Sequence, residues 1–461
     1  MRPPALRATI AAALLTAGCG DPPTLPIEVT SGFEQGMLAD EGVTVVEIVA
    51  VEPVEGGIEL QGSAAPGEDF NLGEVPDSAL LVFELTGKDA AGEVRARGRS
   101  VAVSMTDLPS VLPLFIQRLG GFSRPPTGVV RTHVRAPAAV LGERFLILTG
   151  GERAIGDDGE VDSAFAERYD LMLMSGYTSD ATLARNAKSM FVIDTNAVLI
   201  DDDGGTIQDL VEDFSSTELT PPSGFSFAEV SGGQAISNTE NLDAPTFVVG
   251  PTRNGNPTDA VFIIDASGDI TAVRLAAKRA GAAALYVDGV GLVIVGGSGD
   301  ADAPGVETVT EDGIVKSLPY PADSTTGAAA ALDAEQQIAV FGGRLEGDIP
   351  APTRVLDLRC STAKICEDKI GIVDDAPLPA LATWGRAFVT PKGTLVTGES
   401  DDGETLAFLV VVATGAVASL PLREPRRGAT ALPAPNGTFA LIGGETLSGE
   451  AAHTIELFFP E

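Results

Sequence analysis

The chain has 461 residues, enough for more than one folded unit, and its 65 acidic against 30 basic side chains leave a formal charge of −35. Such a surface repels phosphate backbones and lacks the clustered Lys and Arg that release counterions, so a nucleic-acid partner is excluded. Two His and four Tyr leave few groups for catalysis, 53 Gly and 31 Pro are spread through turns, and no stretch keeps a 3.6-residue apolar period, so the chain reads as all-β.

Arg2 and Arg7 precede the apolar run ATIAAALL at 8–15, too short to span a bilayer but suited to a secretory signal. TAGC follows, ending at Cys19. Small residues followed at once by Cys resemble the lipobox of bacterial lipoproteins, although Thr16 stands where that motif usually has Leu. Residues 1–19 are therefore expected to be a signal peptide whose Cys19 is lipidated, with GDPPTLP at 20–26 as a stiff tether. That address implies an exported, membrane-anchored protein of the bacterial cell envelope, at the outer membrane in preference to the inner.

Between 27 and 112, alternating apolar runs at 42–51, 57–62, 78–87 and 94–105 are separated by Gly, Pro and acidic turns, which predicts a small β-sandwich of immunoglobulin-like kind. Arg95, Arg97 and Arg99 alternate along one run and are expected on the solvent side of an edge strand. LFIQRLGGF at 114–122 comes next.

From 145 onward one phrase recurs: a short apolar run that ends in two glycines. It reads FLILTGG at 145–151, GLVIVGG at 291–297, QIAVFGG at 337–343 and TFALIGG at 438–444, with looser copies AVLIDDD at 197–203, TFVVGPT at 246–252 and TLVTGES at 394–400. The turns fall at steps of 45 to 56 residues. A near-fixed period with one buried strand and one turn per unit predicts a β-propeller of seven blades over 113–461. Gly150, Gly151, Gly296, Gly297, Gly342, Gly343, Gly443 and Gly444 are its repeat turns. Small residues recur ahead of them, and Gly281, Gly327 and Gly428 precede Gly296, Gly342 and Gly443 by 15 residues each, which marks innermost strands crowded around a central channel. The last repeat stops one strand short at IELFFPE, and the segment ahead of the ring is expected to supply the missing strand.

The glycine pair after an apolar strand, followed after a short gap by AERYDLML at 166–173 or HTIELFF at 453–459, resembles the Kelch-repeat propellers, related to the central domain of galactose oxidase. Kelch repeats usually add a Tyr and a later Trp; here Tyr169 alone sits near the expected place and Trp384 is the single Trp. The resemblance implies the fold and leaves activity open, because one fold hosts many activities.

Cys360 and Cys366 are an even pair in an oxidising compartment once Cys19 is taken by lipid, which predicts a disulfide. In DDDGGTIQD, Asp201, Asp203 and Asp209 resemble part of the calcium loop of integrin-type propellers, although Gly205 stands where another oxygen ligand is wanted; no other cofactor is expected. His133 is read as a structural residue of an inner strand, and SDDGETL at 400–406 as a loop that only partly matches the sialidase Asp-box. No triad of base, nucleophile and acid stands out. The leading reading is a non-enzymatic scaffold that binds an envelope or extracellular protein or peptide through one mouth of the propeller. Its alternative is a hydrolase or lyase whose carboxylates converge in that mouth.

Overall fold

Strand after strand pairs antiparallel with its sequence neighbour. The computed structural model describes residues 27–460 apart from 55–56, 74, 77, 108, 239–240, 242, 301, 374–377 and 379–380, so the expected signal peptide, Cys19 and tether lie outside the described residues. The first unit is an antiparallel sheet in the order Glu59–Ala64, Val43–Val51, Leu80–Asp89, Val94–Arg99, Gln117–Arg118, with Ile27–Thr30 running parallel to Leu112–Phe115 beside it. Period-two patterning builds it: Val46, Ile48 and Ala50 of one strand and Leu81, Phe83 and Leu85 of another point inward and are fully buried. Arg95 and Arg99 face solvent and pair with Asp89, Glu93 and Glu84, but their strand is flanked by Gln117–Arg118 and is not the sheet's edge.

Beyond it the chain forms a β-propeller. Sheets of four strands, in one case five, follow one another, each but the last laid down in chain order; the first is Ala138–Leu141, Phe145–Leu148, Phe165–Asp170, Ser175–Thr182. The inner strands of the later ones are Ser189–Ile193, Gln234–Ile236, Ala283–Val287, Ala329–Ala334, Thr383–Thr390 and Thr430–Pro433. Each touches the inner strand of the next sheet from Ala138–Leu141 round to Thr383–Thr390, and Thr430–Pro433 touches Ala138–Leu141. Phe388 and Phe439, with ring centroids 5.2 Å apart, complete the circle between the remaining neighbours. In the final sheet the outer strand is Phe122–Ser123, paired with Leu457 and Phe458, so the segment ahead of the ring does close it. Leu112–Phe115 and Gln117–Arg118 belong to the first unit, and only the two residues at 122–123 perform the closure.

The glycine pairs explain why the phrase repeats. All eight have positive φ, from 59° to 99°. A Cβ on Gly150 would lie 1.9 Å from the Ala187 carbonyl oxygen, and one on Gly151 would lie 2.5 Å from that of Val134. The second glycine then donates its N–H to the segment leading into the next sheet: Gly151 to Ala187 (3.1 Å), Gly297 to Thr325 (2.7 Å), Gly343 to Leu381 (3.2 Å) and Gly444 to His133 (2.8 Å). The motif is a stitch between neighbouring sheets. Where it is degenerate, other groups make the turn: the Asp201 carboxylate accepts from the N–H groups of Asp203 (2.9 Å) and Gly204 (2.8 Å), and Gly250–Thr252 forms a 3-10 turn.

A second repeated device was not foreseen. Arg279 donates to the Gly296 carbonyl (3.0 Å) and pairs with Glu307, while Arg426 donates to the Gly443 carbonyl (3.3 Å) and pairs with Glu456 (3.3 Å); all four side chains are fully buried. His133 holds the same place in the first sheet, with Nδ1 2.9 Å from the Gly150 carbonyl. Its strand, Thr132–Val134, pairs with Arg153–Gly156 and is a lead-in segment, not the inner strand expected. In the sheet of Ala329–Ala334 the charges are exchanged, and Arg354 of the third strand reaches Asp323 and Thr325 of the lead-in.

Candidate functional site

The chain geometry fixes which loops share a mouth. Inner strands start, and second strands end, at the same face of the ring, so the glycine-turn loops and the lead-in segments surround one opening of the channel. The described residues of the acidic stretches at 156–162, 201–205, 299–300, 302–305 and 399–404 all lie in these loops.

Arg135 organises this mouth. It takes the place held in other repeats by Gly281, Gly327 and Gly428, and it adopts the same left-handed backbone, with φ 49° against 68–70° for those glycines. Its N–H donates to the Gly428 carbonyl (2.8 Å) as that of Gly327 does to Gly281 (2.8 Å). Its guanidinium holds two carboxylates: Nε and Nη2 donate to Glu399 at 3.0 and 2.9 Å, and Nη1 donates to Glu152 at 3.0 Å. Glu399 is buried, which raises its carboxyl above the ordinary range while Arg135 pulls the other way; the hydrogen bonds that Arg135 donates to Glu399 in turn hold its guanidinium value up. The Arg344–Asp401 and Arg153–Glu445 pairs join further loops on this face.

Inside, a cavity of about 780 Å³, its open mouth included, is lined from Arg135–Ala138, Lys188–Met190, Gly232–Ala235, Trp384, Arg386, Thr397–Glu399 and Thr430. Ser189 donates to the Gly233 carbonyl (2.7 Å), Thr430 to that of Ala136 (2.6 Å), and Lys188 pairs with Asp202, so much of this wall is internally bonded. Inner strands elsewhere carry Ala, as at Ala283, Ala284, Ala329 and Ala330; Thr383–Thr390 carries Trp384 and Arg386 instead.

The sequence-derived candidates fall in separate places. Cys360 and Cys366 form the expected disulfide, and the residues between them lead into a short helix, Ala363–Asp368, that contains Cys366. Asp201, Asp203 and Asp209 do not converge. Asp201 serves its turn and pairs with Arg185 (3.1 Å), while Asp209 stands at the far end of Gly205–Asp209, more than about 10 Å away at ~3.3 Å per strand residue, and turns the chain at Val211 and Glu212. Among the described residues no group of three His, Cys, Asp or Glu is disposed to hold a metal ion. The loop at 400–406 closes on itself through Gly403 N–H to the Ser400 carbonyl (2.9 Å), and Asp401 is committed to Arg344. Tyr169 is buried in the first sheet with its hydroxyl 3.9 Å from Met174 Sδ, a packing role. Reasoning on sequence missed Arg135, Glu399 and Arg386; the only signal was a large residue at a position filled elsewhere by glycine or alanine.

No family model matches the chain, and no curated protein matches its sequence. Solved structures similar to it include a chain of the mitotic checkpoint complex (11% identity, 74% of this chain and 92% of that one, TM-score 0.43) and the RRP9 WD40 repeats (8%, 73% and 97%, 0.43). TolB from Acinetobacter baumannii is another (13%, 77% and 79%, TM-score 0.36). At such identities and scores the likeness carries no argument, and the propeller rests on the strand pairing described above. No helix among the described residues is long and apolar enough to cross a membrane, which says nothing of a β-barrel.

Proposed function

We propose that the protein is a non-enzymatic scaffold of the bacterial cell envelope, anchored by lipid at Cys19, that binds a protein or peptide partner through the glycine-turn mouth of a seven-bladed, Kelch-type propeller. The immunoglobulin-like sandwich at its N-terminal side is the spacer between lipid and ring. One observation carries the reading: the mouth carboxylates that converge do so on an arginine. Arg135 joins Glu399 of one sheet to Glu152 of another, which preorganises a rigid rim and leaves those acids acting as counter-ions. The surrounding loops are acidic, so partners with basic segments are favoured and salt weakens them, since exposed charges are screened beyond about 8 Å at physiological ionic strength.

The test is a pull-down from native envelopes with wild-type protein and with Arg135→Ala. A partner recovered by the former and lost by the latter, with binding that falls as salt rises, is the expected result; no salt-sensitive partner overturns the reading. Cys19→Ser is expected to move the protein out of the membrane fraction, and its retention there refutes the anchor. The raised carboxyl of Glu399 favours one alternative, a hydrolase or lyase that uses it as an acid. Turnover of an ester, glycan or peptide that is abolished by Glu399→Gln would establish it.

A further inference from the structure

Arg386 is the one feature of the channel that the rim does not explain. It lies on an innermost strand and lines the cavity with Trp384 and Gln234. No described residue gives its guanidinium a hydrogen bond or an ion pair, and neither the Trp384 Nε1–H nor the Gln234 amide has a bond to the described protein. Glu399, the one carboxylate among the residues that line the cavity, is spoken for, because both its oxygens accept from Arg135. Withdrawal from water alone pulls the Arg386 guanidinium below its ordinary value. The side chain is half-buried, so its donors face the cavity and stay reachable from the open mouth.

The backbone has been bent to put these groups there. Pairing passes from Thr383↔Glu399 to Arg386↔Thr397, so the inner strand carries one extra residue, a bulge at Trp384 and Gly385. Trp384 has φ 58°, a left-handed conformation that a bulky side chain rarely adopts. Bulges re-aim side chains and concentrate beside functional sites. The result is a cavity wall with free donors from Arg386, Trp384 and Gln234, and a negative rim outside it.

We propose that this channel binds a carboxylate on a slender group, held by the Arg386 fork and bordered by Trp384 and Gln234, and that in the cell it is the free C-terminal carboxylate of a partner. The Arg fork matches a carboxylate with two parallel hydrogen bonds. The acidic rim opposes a doubly charged phosphate more than a singly charged carboxylate, and it accepts a chain end that carries basic residues just behind the terminus. This rests on the reading of the mouth as a binding surface and adds the chemistry that it recognises.

Trp384 is the only tryptophan in the chain, so its fluorescence reports this site and nothing else. The full chain is titrated with a short basic peptide ending in a free carboxylate, with the same peptide amidated, with succinate and with inorganic phosphate. The expected result is a saturable change with the free acid, at least tenfold weaker with the amide, and weakened tenfold or more by Arg386→Gln. Arg386→Lys is expected to fall between, since it keeps the charge and loses the fork. Arg386→Gln should melt no lower than wild type, which separates lost binding from lost folding. Saturation by succinate with the same dependence on Arg386 supports the site and assigns it to a small carboxylate. A stronger response to phosphate, equal responses to acid and amide, or no effect of Arg386→Gln overturns the proposal. Loss of the envelope partner with the carboxylate response intact refutes the scaffold reading alone.

Discussion

Two buried residue types set how this ring responds to mutation and to acid. Gly444 has φ 88°, and a Cβ there would lie 2.4 Å from the Arg427 carbonyl oxygen, whereas Gly449 has φ 86° with nothing nearer than Glu445 Oε2 at 4.0 Å. Gly449→Ala meets only the left-handed penalty and is expected to cost about 1–2 kcal/mol. Gly444→Ala adds a collision and disturbs the stitch to His133, so urea unfolding should show at least twice that loss. His133 itself is 1% exposed, and burial lowers its pKa to about 4. Its unfolded value is near 6.5, so the unfolded chain binds the extra proton between those limits. Its contribution is full above pH 6.5 and is lost as pH falls to about 4, an effect of about 3 kcal/mol. His133→Gln should flatten the stability curve in that window relative to wild type; parallel curves would show that the imidazole is not held neutral. That His133 lies buried could be read from its apolar surroundings, although the inner strand assigned to it is in fact a lead-in segment. That it substitutes for an arginine beneath a glycine turn could not, because Gly150 is joined to it only by the fold.

Sheets in this ring are fastened by paired devices at their edges. The glycine pair binds one sheet to the next, and the Arg279–Glu307 or Arg426–Glu456 pair binds the lead-in segment to the third strand of its own sheet. Burial pulls the Arg279 and Arg426 guanidinium values down and pushes the Glu456 carboxyl up, which their partners oppose. Glu307→Gln is expected to destabilise by about 3–5 kcal/mol, because it leaves Arg279 buried without its counter-charge. The double change Arg279→Met with Glu307→Leu should recover most of that loss, since it removes both charges. Additive losses in the double variant would show that packing, and not the pair, is what matters. The glycine half of this architecture could be read in the chain because the turn needs one residue type. The ionic half could not, because its members are 28 to 30 residues apart and the Arg354–Asp323 pair exchanges their signs. The bulge at Trp384 was hidden for a similar reason: TWGRAFVT alternates well enough to pass for a regular strand.

Closure makes a row of sheets into one cooperative object. Period and turn spacing showed that a ring exists and that its last repeat lacks a strand, and LFIQRLGGF was the available donor. The split of that segment was not readable, since both halves are apolar and only the pairing partners assign Leu112–Phe115 to the first unit and Phe122–Ser123 to the ring. The consequence is that, at the outer edge of the final sheet, the ring is closed by two residues and by the Phe122–Phe458 contact, with centroids 5.6 Å apart, while the Gly444 stitch to His133 joins the same two sheets near the mouth. Phe122 is 1% exposed and packs with Leu395, Leu441 and Phe458, so it joins the final sheet to its neighbour as well. Phe122→Ala removes that packing and loosens the closing strand, with an expected cost of about 3–5 kcal/mol. An opened ring frees the outer edge of Glu456–Phe458, which invites pairing with another chain. Limited proteolysis should therefore cut the variant near 119–125 well before the wild type, and sizing should show association that grows with concentration. Val54→Ala, at a side chain 64% exposed in the first unit, is the control and should lie within about 0.5 kcal/mol of wild type. If Phe122→Ala matches that control in unfolding and in proteolysis, the ring does not depend on this closure, and cohesion resides in the glycine stitches alone.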